Sequence, residues 1–418
     1  SVVNHRTQSM TAETPKDPGH HDQKSGDVTP EVHAFWDTQP VPKLHDKIDS
    51  GDPHAAIDTP KTVDQVKQTP FALPSLYEWY DIDMTNETEV DQVYDLLTRN
   101  YVEDTDAMFR FDYSREFLRW ALMPPGFRRD WHPAVRVKET KKLVAFISAI
   151  PAKIQAYDNP LPMVEINYLC VHKKLRSKRL APVLIKEITR RVNLTDIWQA
   201  TYTAGALLPR PVARNRYYHR SLNPKKLIEV GFSQLARRMT LKMTLRLYQL
   251  EPETSLPNLR PMTRDDISSA RQLLAQYMAK FKLFVHISEE EFAHWFLPRK
   301  DVVYSYVVCD SSTNIVTDMI SFYCLPSSVL GNSLHTTLRA AFSFYNVAES
   351  VPWHILMKEA LILAKNNDFD VFNALNVMDN AKFFEPLKFG IGDGYLHYYL
   401  YNWRCPEIAS EDIALVLM

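Results

Sequence analysis

Lys173, Lys174, Arg176, Lys178 and Arg179 crowd into one short stretch of this sequence. Such a cluster is suited to a ligand with negative charge, and phosphate is one. Its flanks decide how it is presented. Upstream, Val164, Ile166, Tyr168 and Cys170 alternate with Glu165, Asn167, Leu169 and Val171, the period of two that predicts a strand. Downstream, Leu180, Leu184 and Ile188 recur every four residues, with Val183 and Val192 on neighbouring rows, which predicts a helix over about 179–193. Free N–H groups at a helix start point outward, and the dipole there favours an anion. The loop is not a Walker A loop, because no glycine lies between Gly126 and Gly205. A solvated basic helix start is the competing reading.

Other reactive groups are scattered. Cys170 could attack a carbonyl carbon, but a thiol in an apolar strand is ordinarily inert. His219 lies in the aromatic, polar stretch Tyr217–Pro224, which reads as a loop, and could act as a base or line a groove. Glu103, Asp104 and Asp106 stand between Tyr101 on one side and Phe109 and Phe111 on the other. They read as a solvated loop or as a site for a basic peptide. His20 and His21 belong to a polar tail and are assigned no metal. Glycine is scarce: 10 residues, where an average of roughly 7% would give about 29. Three of them fall in Gly390-Ile-Gly-Asp-Gly394, so the backbone turns sharply there or something approaches it closely. The sequence finishes Ile413-Ala-Leu-Val-Leu-Met418. An apolar strand running to Met418 would carry a carboxylate inside, and an unpaired buried charge is costly. An edge strand whose carboxylate reaches water is the alternative.

The elements that must position these groups follow from periodicity. Residues 1–30 are polar, mixed in charge and without a period, and read as a disordered tail. Ala34-Phe-Trp-Asp-Thr-Gln-Pro-Val-Pro42 reads as an extended aromatic arm laid on the body, and 43–75 as a Pro-rich wrap. A helix over about 87–99 carries Val90, Val93, Tyr94 and Leu97 on one face. Ser114 caps a short helix that Pro124 and Pro125 stop. Strands over 142–149 and 164–171, the helix of 179–193 and a strand over 197–203 give the order β-β-α-β. Residues 250–260 have turn composition and divide the halves 31–249 and 250–418. Thr263 with Asp266 and Ser288 with Glu291 mark two helix starts. Strands over 302–309 and 316–324, a helix over 353–364 and strands over 370–375 and 395–403 repeat β-β-α-β. The expectation is an α+β fold with an internal duplication.

At 418 residues the chain is long enough for two or three domains or one fused body. It is 45% hydrophobic and 24% charged, as ordinary globular proteins are. A net charge of −1 argues against nucleic acid or an anionic membrane as a bulk partner, so any basic site is local. No apolar run approaches the length of a membrane span, and no charged-then-apolar leader opens the sequence. Cys170, Cys309, Cys324 and Cys405 are isolated, which fits a reducing cytoplasm and no structural zinc.

Arg176-x-x-Arg179-x-Ala181 resembles the pyrophosphate loop R-x-x-G-x-[GA] of GCN5-related acyl-CoA transferases, with Arg179 where glycine is usual. Phe35-Trp-Asp-Thr-Gln-Pro-Val, Glu165-Ile-Asn-Tyr-Leu-Cys-Val-His, Lys388-Phe-Gly-Ile-Gly-Asp-Gly and the apolar C-terminus together resemble the myristoyl-CoA:protein N-myristoyltransferase family, from about residue 33 onward. The resemblance implies two fused GCN5-related halves with a pseudo-two-fold relation around a mixed sheet. It implies myristoyl-CoA as co-substrate, no metal, and transfer of myristate to the N-terminal glycine of peptides and nascent proteins by a cytoplasmic monomer. Ala34, Phe35 and Trp36 would pack over the CoA, and Tyr168, Leu169, Cys170 and Val171 would line the thioester. Arg176, Ser177, Arg179, Leu180 and Ala181 would hold its phosphates. Tyr101, Val102, Asp104, Phe109, Phe111, Tyr113, Gly205, Tyr217, His219, Ser327, Phe342, Asp393, Gly394 and Leu417 would form the peptide groove. Backbone N–H groups of Tyr168 and Leu169 would hold the oxyanion, the Met418 carboxylate would be the base, and Asn167 and Thr203 would help carry the proton. Three departures stand out. Thr105 interrupts a run of acids and weakens the preference for basic peptides. Ala34 removes a phosphate contact, and Phe342 lacks the hydroxyl of the tyrosine in some members.

Acyl transfer from a thioester builds negative charge on the carbonyl oxygen, where each backbone donor is worth about 3–4 kcal/mol. A regular strand spends those N–H groups on its neighbour, and a bulge at Tyr168-Leu169 would free them. The resemblance implies that bulge; the unbroken alternation does not. Direct attack by an amine needs no covalent intermediate, so Cys170 is not required. Two other classes share these features: an acetyl-CoA-dependent N-acetyltransferase, and a non-enzymatic phosphate or nucleic-acid binder. The aromatic groove and the apolar C-terminus favour the longer acyl group, and near-zero net charge disfavours nucleic acid.

Overall fold

The computed structural model describes residues 34–104 and 106–418; the expected tail 1–30 and Thr105 lie outside the described residues. The first series of strands is β1 (Tyr77–Asp81), β2 (Phe109–Phe111), β3 (Pro133–Val137), β4 (Leu143–Ala156), β5 (Asn159–Val171), β6 (Gln199–Ala204) and β7 (Ala213–Ser221). The second is β8 (Leu259–Pro261), β9 (Leu283–His286), β10 (Val303–Cys309), β11 (Val316–Cys324), β12 (Ser327–Val329), β13 (Thr337–Leu338), β14 (Ala340–Ser343), β15 (Val347–Ala348), β16 (Val371–Leu375), β17 (Gly390–Tyr401) and β18 (Ile413–Ala414). Helices are α1 (Glu87–Asn100), α2 (Arg115–Leu122), α3 (Leu180–Asn193), α4 (Pro224–Glu229), α5 (Leu241–Leu247), α6 (Ile267–Met278), α7 (Glu289–Phe296), α8 (Trp353–Asn366) and α9 (Ala381–Phe384).

One sheet runs β1-β3-β4-β5-β6-β17-β7-β16-β14-β11-β10-β8. The order β-β-α-β occurs once as expected, as β4-β5-α3-β6; in the second series β10, β11, α8 and β16 follow in that sequence, but β12, β13, β14 and β15 stand between β11 and α8. Each series ends by lending a strand to the other. Late β17 pairs with early β6, and early β7 pairs with late β16. Pairing is mostly antiparallel, with β5∥β6 and β14∥β16 parallel beside the helical crossovers, so the class is α+β with a mixed sheet. Both faces are covered, which is why the first eight residues of β4 are all buried. Leu180, Leu184, Ile188 and Val192 of α3 pack against Val144, Ile147 and Val164 on one side. Val93, Leu97, Phe117 and Leu118 pack with Phe146 and Tyr168 on the other. The helix starts at Thr263 and Ser288 are both capping boxes, as their spacing predicts.

Three local expectations differ. Tyr217–Pro224 is not a loop. Tyr217–Ser221 completes β7, whose alternating Tyr217, His219 and Ser221 face one way and Tyr218 and Arg220 the other, between β16 and β17, and Pro224 opens α4. Ala34–Trp36 is helical rather than extended. The arm beyond is laid on the body as expected: Asn402 N donates to Pro40 O at 2.9 Å and the Tyr401 hydroxyl to Gln39 Oε1 at 2.7 Å. The final apolar strand is only the two-residue β18, parallel to β9. The residues after β18 are held by tethers instead, with the Tyr398 hydroxyl donating to Leu415 O at 2.6 Å and Val416 N donating to the Tyr345 hydroxyl at 2.9 Å. No described helix is long and apolar enough to cross a membrane.

Candidate active site

The register of β4 with β5 breaks at one point. Asn167 faces Ser148 and Cys170 faces Phe146, so Tyr168 and Leu169 together oppose the single residue Ile147. Tyr168 takes φ +57°, a left-handed conformation that costs a non-glycine residue about 1–3 kcal/mol. Its ring, 1% exposed, is held by Tyr101 at 5.9 Å and Tyr113 at 5.1 Å between centroids. The freed Tyr168 N–H donates to Oδ1 of its own neighbour Asn167 at 2.9 Å, and the Tyr101 hydroxyl reaches the same oxygen at 3.5 Å. Asn167 therefore occupies a donor that the ladder has released. Cys170, next along the strand, is buried, and burial pushes its thiol up to about 12, which leaves no thiolate to attack anything.

Beyond β5 the basic stretch forms a 3₁₀ turn, Lys173–Lys178, joined to α3 by Arg179 at φ +55°. That conformation is the one glycine adopts without strain, which accounts for glycine at this place in the R-x-x-G-x-[GA] pattern. Lys174, Ser177, Lys178 and Arg179 are exposed at the helix start, whereas Leu180 and Ala181 are buried beneath it. Arg176 is exposed as well, but it donates to the carbonyls of Asn100 and Val171 and so braces the turn rather than offering its whole fork to a phosphate. Lys173 N donates to Asn100 Oδ1 at 3.0 Å, and the Lys173 ammonium pairs with Glu103.

A cleft opens where the two series of strands meet. It gathers Phe109, Phe111, Tyr217, His219, Ser327 and Phe342, six residues spread over the sequence. Register explains the convergence. Tyr323, Phe342, Asn373, His219 and Gly390 form one row across β11, β14, β16, β7 and β17, and Ser327 pairs with Phe111 in the small β13-β12-β2 sheet. His219 Nδ1 lies 2.5 Å from Asn373 Oδ1. Burial holds the imidazole below its ordinary 6.5, although the Asn373 bond and the Asp393 charge oppose that. Phe232 and Asn373 also line the cleft. Neither has a local signal, and only the cross-strand register could have found Asn373. Aromatic contacts continue from the cleft to the bulge: Phe342–Phe111 at 6.4 Å, Phe111–Tyr113 at 5.9 Å, then Tyr113–Tyr168.

Residues 56–215 match the N-terminal domain of myristoyl-CoA:protein N-myristoyltransferase, and residues 229–414 match its C-terminal domain. A glycylpeptide N-tetradecanoyltransferase of Drosophila melanogaster is 54% identical over 385 residues, 92% of this chain and 81% of that protein. One of Dictyostelium discoideum is 54% identical over 390 residues, 93% of each chain. Saccharomyces cerevisiae N-myristoyltransferase with bound myristoyl-CoA superposes with a TM-score of 0.90 at 41% identity, over 96% of this chain and 97% of that one. The chain belongs to the myristoyl-CoA:protein N-myristoyltransferase family. It is an acyltransferase of that family.

The remaining expected residues fall into three places. At the arm, Trp36 stacks on Tyr202 at 5.8 Å, Tyr202 stacks on Tyr399 at 5.0 Å, and Phe35 meets Trp36 edge-on, with Ala34 exposed beside them. Near the sheet centre, half-buried Thr203 is in register with Tyr398, whose hydroxyl holds Leu415, while Gly205 follows β6. Leu417 and Met418 pack on the cluster that contains Tyr168. At the cleft rim, β17 slips register between Ile391 and Tyr395, leaving Asp393 exposed and Gly394 buried.

The acidic loop is spent largely on itself. Asp104 Oδ1 accepts from Met108 N and Phe109 N at 2.7 Å each, and the Val102 carbonyl accepts from Phe111 N at 3.2 Å. Glu103 pairs with both Arg110 and Lys173. Of the acids expected to meet a basic peptide, Asp106 is the exposed one. Glu165, two residues before Asn167, has its carboxyl pushed up to about 8, first by burial and then by the charge of Glu291. Among the described residues no group of three His, Cys, Asp or Glu side chains could hold a metal ion.

Proposed function

We propose that the chain transfers myristate from myristoyl-CoA to the amino group of an N-terminal glycine, on peptides and nascent proteins. The observation that carries this reading is the bulge at Tyr168-Leu169, where two residues oppose one of β4 and the Tyr168 N–H donates to its neighbour's side chain instead of to the ladder. In the reaction the amine nitrogen bonds to the thioester carbon, negative charge gathers on the carbonyl oxygen, and the C–S bond then breaks to release CoA. Tyr168 and Leu169 N–H groups hold that oxygen, and the Asn167 amide yields the Tyr168 donor when the thioester arrives.

The amine must lose a proton before it attacks. Its reference pKa is about 8 against about 3.5 for an α-carboxyl, a gap equivalent to about 6 kcal/mol in water. The carboxylate that Met418 carries in this chain is the acceptor. Support comes from the tethers at Leu415 and Val416, which fix the backbone just before Met418 to Tyr398 and Tyr345, and from the packing of half-buried Met418 on the main core. Burial narrows the gap by raising the carboxylate and lowering the ammonium. Asn167 and Thr203 relay the proton. Ser177, Arg179 and the free N–H groups of α3 hold the CoA phosphates, with Lys174 and Lys178 beside them, and the Phe109–Phe342 cleft receives the peptide. Four buried free thiols fit work in a reducing cytoplasm.

A glycine-initiated peptide is offered an equimolar mixture of acetyl-, decanoyl-, tetradecanoyl- and octadecanoyl-CoA, and products are read by mass spectrometry. Each methylene discriminates by about 1–3 kcal/mol in a closed pocket. The tetradecanoyl amide on the α-amino group is expected to dominate. An acetyl product, or equal yields, would overturn the reading.

A further inference from the structure

The stretch joining the two series of strands carries a surface that acyl transfer does not use. Between Glu229 and Glu251 no acidic residue occurs, while Arg237, Arg238, Lys242 and Arg246 do. All four cations are exposed, and none makes an ion pair with a described residue. Among them stand Leu235, Met243, Leu245 and Leu247, exposed by 43%, 49%, 42% and 40%. At about 100° per residue, Lys242 and Arg246 form one stripe of α5. Met243 and Leu247 form the next stripe and Leu245 the opposite flank, while Leu241, Thr244 and Tyr248 turn toward the body.

This surface is fixed in place. Thr240 caps α5 by accepting from Met243 N at 3.2 Å, the Lys388 ammonium donates to Leu247 O at 2.9 Å, and the Arg220 guanidinium donates to Tyr248 O at 3.0 Å. Arg220 leaves β7 on the face opposite His219, so α5 lies behind the sheet as seen from the cleft.

We propose that the α5 face docks on an anionic lipid surface. Nucleic acid would match the cations but would leave four apolar side chains against a polar backbone. A bilayer with anionic headgroups takes both. Leucine and methionine enter the headgroup–acyl boundary, and lysine and arginine extend to the phosphates. The whole chain carries a net charge of −1, so bulk charge does not draw it to an anionic surface and the attraction is local; the other exposed basic cluster, at Lys173–Arg179, is the one assigned to the CoA phosphates. Docked in this way, the molecule keeps its cleft turned from the lipid and open to peptides in solution.

The full chain is floated with phosphatidylcholine vesicles, with and without phosphatidylserine, at physiological salt. Flotation with the anionic vesicles alone is expected. Replacing Arg237, Arg238, Lys242 and Arg246 with glutamine should abolish it. Met243→Ser with Leu247→Ser, charges intact, should weaken it at least about tenfold, since two apolar side chains no longer enter the headgroup–acyl boundary. Turnover of a soluble peptide should stay unchanged in all variants, which also reports that they fold. No flotation, or flotation indifferent to the serine pair, would overturn the proposal. Equal retention on RNA, insensitive to the serine pair, would make this a nucleic-acid surface and overturn it as well.

Discussion

Gly392 lies so close beneath the imidazole of His219 that a Cβ there would fall 2.5 Å from Nε2, and 2.9 Å from the Tyr217 carbonyl oxygen. His219 cannot retreat freely, because Asn373 holds its other nitrogen at 2.5 Å. Gly392→Ala should therefore tilt the ring into the cleft. Overpacking of this kind costs about 1–3 kcal/mol, so the peptide KM should rise about tenfold or more while acyl-CoA affinity holds. Steady-state kinetics with separate acyl-CoA titration checks this, and an unchanged peptide KM would remove His219 from the groove.

Arg179 can be dissected by two substitutions. Both Arg179→Ala and Arg179→Gly delete the guanidinium, so both should weaken acyl-CoA binding alike, by about 1.5–3 kcal/mol for a charge-assisted contact. Only glycine relieves the φ of +55°. The glycine variant should thus be more stable than the alanine variant by about 1 kcal/mol. Isothermal titration and denaturant melts separate the two effects, and equal stabilities would deny the backbone strain.

Glu103 joins the phosphate turn to the groove loop through Lys173 and Arg110. Burial works against its charge, yet hydrogen bonds from Lys173 and Arg110 win and hold the carboxyl below its ordinary 4.5. A lowered carboxyl adds stability above the unfolded pKa and loses it as pH falls through the folded one. Glu103→Gln should cost about 1–2 kcal/mol at pH 7, and the deficit should close in acid. Melting curves across that range decide it. A pH-independent deficit would mean the carboxylate charge is idle.

Glu165 carries the opposite sign. Its carboxyl is raised to about 8, so its contribution is complete below about 4.5 and is lost as pH rises through about 8. Glu165→Gln should melt with the parent near pH 4 and above it at pH 8–9. The gain should be about 1–3 kcal/mol, less than the whole shift because the residue keeps some accessible surface. Destabilisation at pH 8–9 would show that the charged form is wanted.

Much of the fold was legible along the chain, and the exceptions share a cause. The strand–turn–α3 unit, both capping boxes and the first β-β-α-β order depend on near neighbours, and periodicity reports those; β12, β13, β14 and β15, which interrupt the second, are too short for a period to show. The glycine cluster was legible as a close approach, though not that His219 makes it. The bulge leaves Tyr168 and Leu169 in an unbroken alternation, so no local pattern marks it. β7 looked like a loop because Arg216 and Arg220 stand on its back face, yet Arg220 is 3% exposed with its donors spent on the carbonyls of Leu387, Ser221 and Tyr248. The fate of Glu103 was hidden because Lys173 is distant in sequence. In each case the deciding partner comes from tertiary register.

Backbone donors at the bulge should polarise the thioester carbonyl when acyl-CoA binds. Isotope-edited infrared spectroscopy of myristoyl-CoA labelled with carbon-13 at its carbonyl, bound to the protein, tests it most directly. Two N–H donors on the oxygen weaken the C=O bond, so the stretch should move below its frequency in water, and Asn167→Leu should leave that shift in place. A stretch at or above the aqueous value would mean that no such donors reach the oxygen and that the Tyr168 N–H stays where it now rests, on Asn167.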